Sequence, residues 1–265
     1  MYNFDYTRPS SLDEALKALS SGDEVKLMAG GQTLIPTLKQ RLAMPSDLVD
    51  LGGIGDLKGI SLDGDTLVVG AMTTHATVAA SDVVKSAIPA LAALASNIGD
   101  SQVRHRGTIG GSVANHDPAA DYPAACLGLG ATIVTNTREI AADDFFTGLF
   151  ETALEPGEII TAVRFPKPRR AAYMKFPNPA SRYAIVGVFV AETADGIRVG
   201  VSGASQSGAY RSSDLEAALT ANFAPQAVEG VSVSADGLNS DIHASAEYRA
   251  HLIKVMAKRA VAAAG

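Results

Sequence analysis

One segment, TIGGSVANHDPAAD at residues 108–121, constrains this chain more than any other. It combines a glycine pair, small hydroxyl side chains and two carboxylates. Because glycine has no Cβ, it can take positive φ and lets backbone N–H groups approach a ligand closely. Successive N–H groups arranged in this way form a concavity that binds anions. The segment therefore predicts a ligand-binding loop.

A second glycine pair lies upstream in AGGQT, residues 29–33. It follows a predicted strand at 25–28 and leads into a predicted helix, with Thr33 as the expected N-cap and Pro36 in the first turn. A strand that ends at a glycine turn and a helix N-terminus brings several free N–H groups to one point, which favours a phosphate. The two segments together predict one dinucleotide site.

Hydrophobic periodicity and turn signals outline the remaining elements. The predicted helices are 11–22 with a capping box at Ser11 and Glu14, 73–80, 83–98, 123–129, 213–220 and 243–264. The predicted strands are 25–28, 48–51, a hairpin over 59–70, 131–135, 158–165, 173–176, 184–192 and 197–201. This mixture indicates an α+β protein whose second domain is a small antiparallel sheet with helices.

Composition excludes several classes of function. A formal net charge of −6 argues against nucleic acid as the main partner. The first residues lack a basic region followed by an apolar run, so we expect a cytoplasmic protein. The lone Cys126 allows neither an internal disulfide nor an iron–sulfur cluster held by this chain alone. The five histidines lack the spacing of metal ligands, and His105 and His116 are interpreted as polar surface or loop residues. Redox chemistry would therefore need an organic cofactor.

Two long motifs carry a family resemblance. AGGQTLIPTLKQRLAMP (29–45) and TIGGSVANHDPAADYPA (108–124) resemble the two flavin-binding signatures of the FAD-binding medium subunits of molybdenum hydroxylases, the carbon monoxide dehydrogenase and xanthine dehydrogenase group. Residues 1–16, 173–191 and 241–261 are similar to other parts of the same family. The resemblance thus covers nearly the whole chain.

This resemblance implies a fold and a domain division. The expected fold is a two-part vanillyl-alcohol-oxidase-type (PCMH) FAD-binding domain, followed by a small carboxy-terminal domain of antiparallel sheet plus helices. The expected limits are 1–170 for the FAD-binding domain, with subparts of about 1–56 and 57–170, and 171–265 for the second domain. The proline-punctuated, charged residues 166–170 form the expected boundary.

The resemblance also implies a function and partners. FAD is expected to bind noncovalently, with molybdopterin and two-iron, two-sulfur clusters only in a large and a small partner subunit, in a dimer of heterotrimers. Electrons would pass from the clusters through FAD to an external acceptor, and no side chain of this chain would be catalytic. Two alternatives stay open: a stand-alone FAD-dependent oxidase or dehydrogenase, and a non-enzymatic assembly module of the same fold.

The family's cofactor contacts map onto sixteen residues of this sequence. Residues 29–34 are expected to wrap the pyrophosphate and the adjacent ribityl chain. Backbone N–H and hydroxyl donors are expected from Thr108, Gly110, Gly111 and Ser112, and Asp121 is expected to accept from a ribose hydroxyl of the adenosine. The expected contacts are Ala29, Gly30, Gly31, Gln32, Thr33, Leu34, Ile98, Thr108, Gly110, Gly111, Ser112, Asp117, Asp121, Ile160, Lys175 and Tyr183.

Several of these residues also have a purely structural interpretation. Asp121 would cap the helix at 123–129, and Asp117 would begin a turn before Pro118. Ile98 and Tyr183 are expected beside the flavin ring by resemblance, yet either would serve equally in a core. Lys175 would stabilise negative charge on the reduced ring, or it would be an ordinary solvated lysine.

Overall fold

The first unit is a three-stranded parallel sheet in the order β1-β3-β2, with two helices. The computed structural model describes residues 1–22 and 24–264 of the chain. Ser11 caps the first helix by accepting from the Glu14 N–H, while Glu14 accepts from the N–H of Ser10 rather than from that of the cap. The elements are β1 (Asp5–Thr7), α1 (Leu12–Leu19), β2 (Val25–Met28), α2 (Leu34–Lys39) and β3 (Asp47–Asp50).

The second unit is an antiparallel sheet in the order β4-β5-β10-β6-β7, with a small hairpin and seven helices among the described residues. Six of its helices lie between β5 and β6 in the sequence, and β10 joins these two strands in the sheet by pairing with both. The elements are β4 (Ile60–Asp63), β5 (Thr66–Gly70), α3 (His75–Ala80), α4 (Asp82–Ala87), α5 (Pro89–Ser96), α6 (Ser101–Arg106), α7 (Ile109–Asn115), α8 (Tyr122–Leu129), β6 (Thr132–Thr135), β7 (Glu139–Ala141), α9 (Ala142–Phe145), β8 (Phe146–Gly148), β9 (Glu151–Thr152) and β10 (Ile160–Pro166).

The third unit is a four-stranded antiparallel sheet in the order β11-β12-β13-β14, covered by two helices. The elements are β11 (Arg170–Pro177), β12 (Ala184–Thr193), β13 (Gly196–Ser202), β14 (Tyr210–Arg211), α10 (Ser213–Ala221) and α11 (Ala246–Ala264). The other face of the sheet packs on α8, where a Cβ at Gly200 would overlap the carbonyl of Ala124. The second and third units therefore share a closely packed interface. The domain limits at 56 and 170 stay a prediction.

Two sequence-based expectations about local structure are wrong. The helix predicted at 83–98 is two helices, because Pro89 lacks an N–H and forces Ile88 out of helical geometry, with φ −141° and ψ 76°. Half of the segment predicted as a loop at 108–121 is the helix α7 (Ile109–Asn115), which begins at the N-cap Thr108. Its two glycines are helical and do not take positive φ.

Several other elements agree with the sequence. Strands β2 and β3, the β4–β5 hairpin, and helices α3 and α8 lie within one or two residues of their predicted limits. The long final helix begins at Ala246, three residues later than predicted, and β1 and α6 were not predicted. No helix in the described part of the chain combines the length and apolarity needed to cross a bilayer.

Candidate functional site

A cavity of about 850 Å³ lies where the three sheets meet. Its volume falls within the roughly 300–1,000 Å³ that is typical of small-molecule and cofactor sites. All sixteen residues singled out in the sequence line this cavity, although they come from all three units. Whether each contacts a cofactor there stays a prediction.

The first glycine segment presents open donors to the cavity. Gly31 has φ +71°, a conformation that favours glycine, and the chain turns there from β2 into α2. The backbone N–H groups of residues 30–34 have no hydrogen-bond acceptor within the described part of the chain. Thr33 is the N-cap as predicted, but its side chain makes no capping hydrogen bond. Five N–H groups and one hydroxyl are thus available to a ligand.

The second glycine segment differs, because protein acceptors already take its N–H groups. Ile109 donates to Thr73 O (3.1 Å) and Gly110 to Ala71 O (2.8 Å). Gly111 donates to Thr108 Oγ1 (3.2 Å), which is the N-cap hydrogen bond of α7, and Ser112 donates to Thr108 O at 3.0 Å. The expectation that Gly110, Gly111 and Ser112 offer their N–H groups to a ligand is therefore wrong.

The glycines of the second segment instead permit close packing. A Cβ at Gly111 would lie 3.1 Å from the Cβ of Ala29 and 3.0 Å from Thr108 Oγ1, while a Cβ at Gly110 would lie 2.6 Å from that of Ala71. In the first segment, a Cβ at Gly30 would overlap the carbonyl of Arg106. The two segments therefore lie directly against each other, and together they form one wall of the cavity.

Another part of the cavity wall is apolar. Ile160 is buried, and Ile98 is half-buried and packs against the main core cluster while facing the cavity. Tyr183 immediately precedes β12 and is 44% exposed, so it does not belong to the core. The turn before it is held by Asn178 Oδ1, which accepts from two following backbone N–H groups. This part of the cavity suits a flat apolar ring.

Lys175 and Asp121 form a buried ion pair on the same wall. Lys175 Nζ lies 2.9 Å from Asp121 Oδ2, and the two side chains are 6% and 5% exposed. The hydroxyl of Tyr173 donates to Asp121 Oδ1. Burial raises the pKa of Asp121, and the Lys175 ammonium and the Tyr173 hydroxyl oppose that rise. Lys175 is therefore not a solvated lysine, and Asp121 makes no capping bond to α8.

Asp117 combines the structural role with a place at the cavity. Its Oδ1 accepts from the N–H of Ala119 at 2.8 Å, which is the turn expected before Pro118. Burial raises the pKa of this carboxyl, opposed by the Ala119 hydrogen bond. The residue lines the cavity beside Asp121.

Two histidines have surroundings that the sequence did not indicate. His116 is fully buried: its Nδ1 lies 2.9 Å from Glu151 O and its Nε2 accepts from the Ala209 N–H. It lies in the turn that ends α7, as a loop residue would, but its expected place on the surface is wrong, because it is buried against the third unit. His105 is exposed, as expected, but it lies in α6.

His75 lines the cavity, and the sequence analysis missed it. It is buried, its Nδ1 has no hydrogen-bond partner within the described part of the chain, and burial beside Arg104 lowers its pKa to about 4. It shares an inward face of α3 with Val78, three residues later. That spacing was the only sequence signal for its position.

The cavity fits FAD by the chemistry of its walls. Five open N–H groups can hold a diphosphate, and the apolar stretch with Tyr183 can hold a flat ring. Residues 1–22 and 24–264 contain no group of three or more His, Cys, Asp or Glu side chains that could hold a metal ion. The open N–H groups and the apolar stretch suit an organic dinucleotide.

Comparison with known proteins identifies the family. Residues 2–168 match the family described as FAD binding domain in molybdopterin dehydrogenase. The nicotine 6-hydroxylase medium subunit of Paenarthrobacter nicotinovorans is 37% identical, with 98% of this chain and 96% of that protein aligned. The carbon monoxide dehydrogenase medium chain of Afipia carboxidovorans is 36% identical over the same shares of the two chains.

Solved structures agree over the whole chain. The Cu,Mo-containing carbon monoxide dehydrogenase in its cyanide-inactivated form matches with a TM-score of 0.92 and 35% identity, covering 100% of this chain and 98% of that one. Quinoline 2-oxidoreductase from Pseudomonas putida 86 matches with a TM-score of 0.88 and 31% identity, covering 99% and 96%. The predicted α+β fold is thereby confirmed. This chain belongs to the FAD-binding medium subunits of the molybdopterin dehydrogenases, and it is a component of an oxidoreductase.

Proposed function

We propose that this chain is the electron-transfer flavoprotein subunit of a molybdenum hydroxylase. It holds FAD noncovalently and passes electrons from iron–sulfur clusters of a partner subunit to an external acceptor. One observation carries the proposal: sixteen residues that the family resemblance selects, spread from Ala29 to Tyr183, line a single cavity with open backbone donors. Such convergence of residues distant in sequence is not expected of unrelated turns.

The chain's own residues bind and orient the cofactor in this proposal. Residues 30–34 donate to the pyrophosphate, and the α7 segment supports them from behind. Ile98 and Tyr183 flank the ring, and the Asp121–Lys175 pair lies beside it, in place of the contact between Asp121 and a ribose hydroxyl that the family resemblance implied. FAD supplies the redox chemistry when it is bound, and the protein supplies position and electrostatics.

The relatives' names support the proposed partners. The nicotine and carbon monoxide relatives are a medium subunit and a medium chain, which implies a larger and a smaller companion in those proteins. We propose the same for this chain: a molybdopterin-bearing large subunit, a small subunit with two-iron, two-sulfur clusters, and a cytoplasmic dimer of heterotrimers. The organic substrate is then selected in the large subunit.

Affinity purification through a tag on this chain tests the proposal. We expect two further subunits to co-purify, with molybdenum, iron and FAD in the eluate. Carbon monoxide, aldehydes, purines and other N-heterocycles are then supplied one at a time, with NAD, oxygen or an artificial dye as acceptor. We expect one substrate class to bleach the flavin absorption, and acceptor to restore it.

Two outcomes would contradict this assignment. Turnover of an alcohol by the chain without any co-purified subunit would favour a stand-alone oxidase. A complex that contains molybdenum and iron but no flavin would favour the assembly module.

A further inference from the structure

Three side chains form a buried cluster between the second and third units. Tyr173 and Lys175 lie two residues apart on β11, so they point to the same face of the strand. Both contact Asp121, at the start of α8: Tyr173 donates to one carboxylate oxygen and Lys175 pairs with the other. Each oxygen of Asp121 therefore has its own donor.

Only two members of this cluster reach the cavity. Asp121 and Lys175 line it, whereas Tyr173 is 6% exposed and lies behind Asp121. Lys175 Nζ also lies 3.3 Å from the carbonyl of Asn97, which places the ammonium next to the apolar wall at Ile98. A flat ring in that part of the cavity would lie beside the ion pair.

Close packing holds the Tyr173 hydroxyl in place. A Cβ at Gly187, on the neighbouring strand β12, would overlap that hydroxyl and would lie 2.8 Å from Ser202 Oγ. Residue 187 must therefore be glycine for the hydroxyl to reach Asp121. The hydrogen bond depends on tight packing as well as on the two groups that form it.

Because Asp121 is buried, the charge and orientation of its carboxylate act strongly on a group bound in the cavity. Charges interact more strongly in a protein interior than in water, because the effective dielectric constant is lower. A hydrogen bond to a carboxylate disperses part of its negative charge and fixes its orientation. Loss of the Tyr173 hydroxyl would leave Asp121 more negative and free to turn from Lys175.

We propose that Tyr173 is a positioning residue that locks the Asp121 carboxylate against Lys175, and that this locked pair sets how readily FAD in the cavity accepts electrons. This inference rests on the proposed function. Tyr173 touches neither the cavity nor the cofactor and acts only through Asp121. Removal of its hydroxyl should therefore shift the reduction potential of FAD, a change that a purely structural role would not produce.

The test measures the midpoint potential of bound FAD in four variants of the tagged full chain, purified with the subunits that remain bound to it. They are Tyr173→Phe, Asp121→Asn, the double variant, and Tyr122→Phe. The last is a matched control, because the fully buried Tyr122 hydroxyl has no hydrogen-bond partner within the described part of the chain. Dye-equilibrated reductive titration, followed by the visible band of the oxidised flavin, gives the potentials, and thermal unfolding reports stability.

We expect Tyr173→Phe to lower the midpoint potential, because a more negative Asp121 opposes the arrival of electrons. Tyr122→Phe should leave it unchanged, and Tyr173→Phe should add no shift in the Asp121→Asn background. If Tyr173→Phe does not fold, Gly187→Ala displaces the same hydroxyl and should lower the potential in the same direction.

An unchanged potential in Tyr173→Phe would overturn the inference, as would the same shift with and without the Asp121 carboxylate. A wild-type complex without FAD would instead contradict the proposed function. The two failures are therefore distinguishable.

Discussion

The two glycine segments look alike in sequence and act differently in the structure. Residues 29–34 turn through Gly31 at φ +71° and leave five N–H groups open to the cavity. Residues 108–112 start a helix whose N–H groups are all taken by protein acceptors from Ile109 to Ser112. The first segment is a donor surface, and the second supports it.

This difference shows that a glycine pair has two separate uses. At Gly31 the missing Cβ permits a backbone conformation that other residues rarely adopt. At Gly110 and Gly111 the conformation is ordinary, and the missing Cβ permits contact with Ala71 and Ala29. A glycine motif by itself therefore does not identify which segment donates to a ligand.

Among the substitutions considered, Gly111→Val should cause the largest loss of FAD, because it separates the two glycine segments. The added methyl groups would push α7 away from Ala29 and Thr108, so we expect loss of FAD from the purified complex. Overpacking of this kind also costs about 1–3 kcal/mol of unfolding free energy. FAD released on denaturation and a urea unfolding curve measure the two effects.

Gly230→Val is the matched control for this change. Gly230 is exposed, and a Cβ there would meet nothing within 4 Å. The Gly230→Val variant should retain stoichiometric FAD. Stoichiometric FAD in Gly111→Val would show that contact between the segments is not needed for binding.

Two threonine substitutions should give smaller effects, one on stability and the other on FAD binding. Thr108 caps α7 through its hydroxyl, whereas the Thr33 hydroxyl makes no capping bond. Thr108→Val should lower the unfolding free energy by about 1 kcal/mol, the usual cost of losing a cap. Thr33→Val should leave the stability of the cofactor-free protein unchanged and weaken FAD binding.

Urea unfolding of the FAD-free proteins and a fluorescence titration with FAD check these expectations. Equal loss of stability in the two variants would remove the distinction between donor and support. So would unchanged FAD affinity in Thr33→Val combined with a large loss in Thr108→Val.

The sequence predicted the features that depend on neighbours along the chain. The turn from β2 through Gly31 into α2, the cap at Ser11 and the β4–β5 hairpin all follow from a few adjacent residues. The break at Pro89 also depends on adjacent residues, so the prediction of one helix over 83–98 overlooked a local signal.

Other features depend on residues far apart in the chain. The acceptors of the Ile109 and Gly110 N–H groups come from Thr73 and Ala71, and Lys175 meets Asp121 across 54 positions. The buried state of His116 depends on Glu151 and on Ala209, 93 positions away. No local pattern reports such contacts, so the residues that line the cavity were predictable and these long-range hydrogen bonds were not.

The central claim is that this cavity holds FAD, and the FAD content of the purified protein tests it most directly. The tagged chain is purified with its bound subunits and denatured. The released flavin is identified by chromatography, and the molar ratio of FAD to chain is measured. We expect one FAD per chain, released without a covalent link. A preparation that contains the folded chain and its partners but no FAD would contradict it.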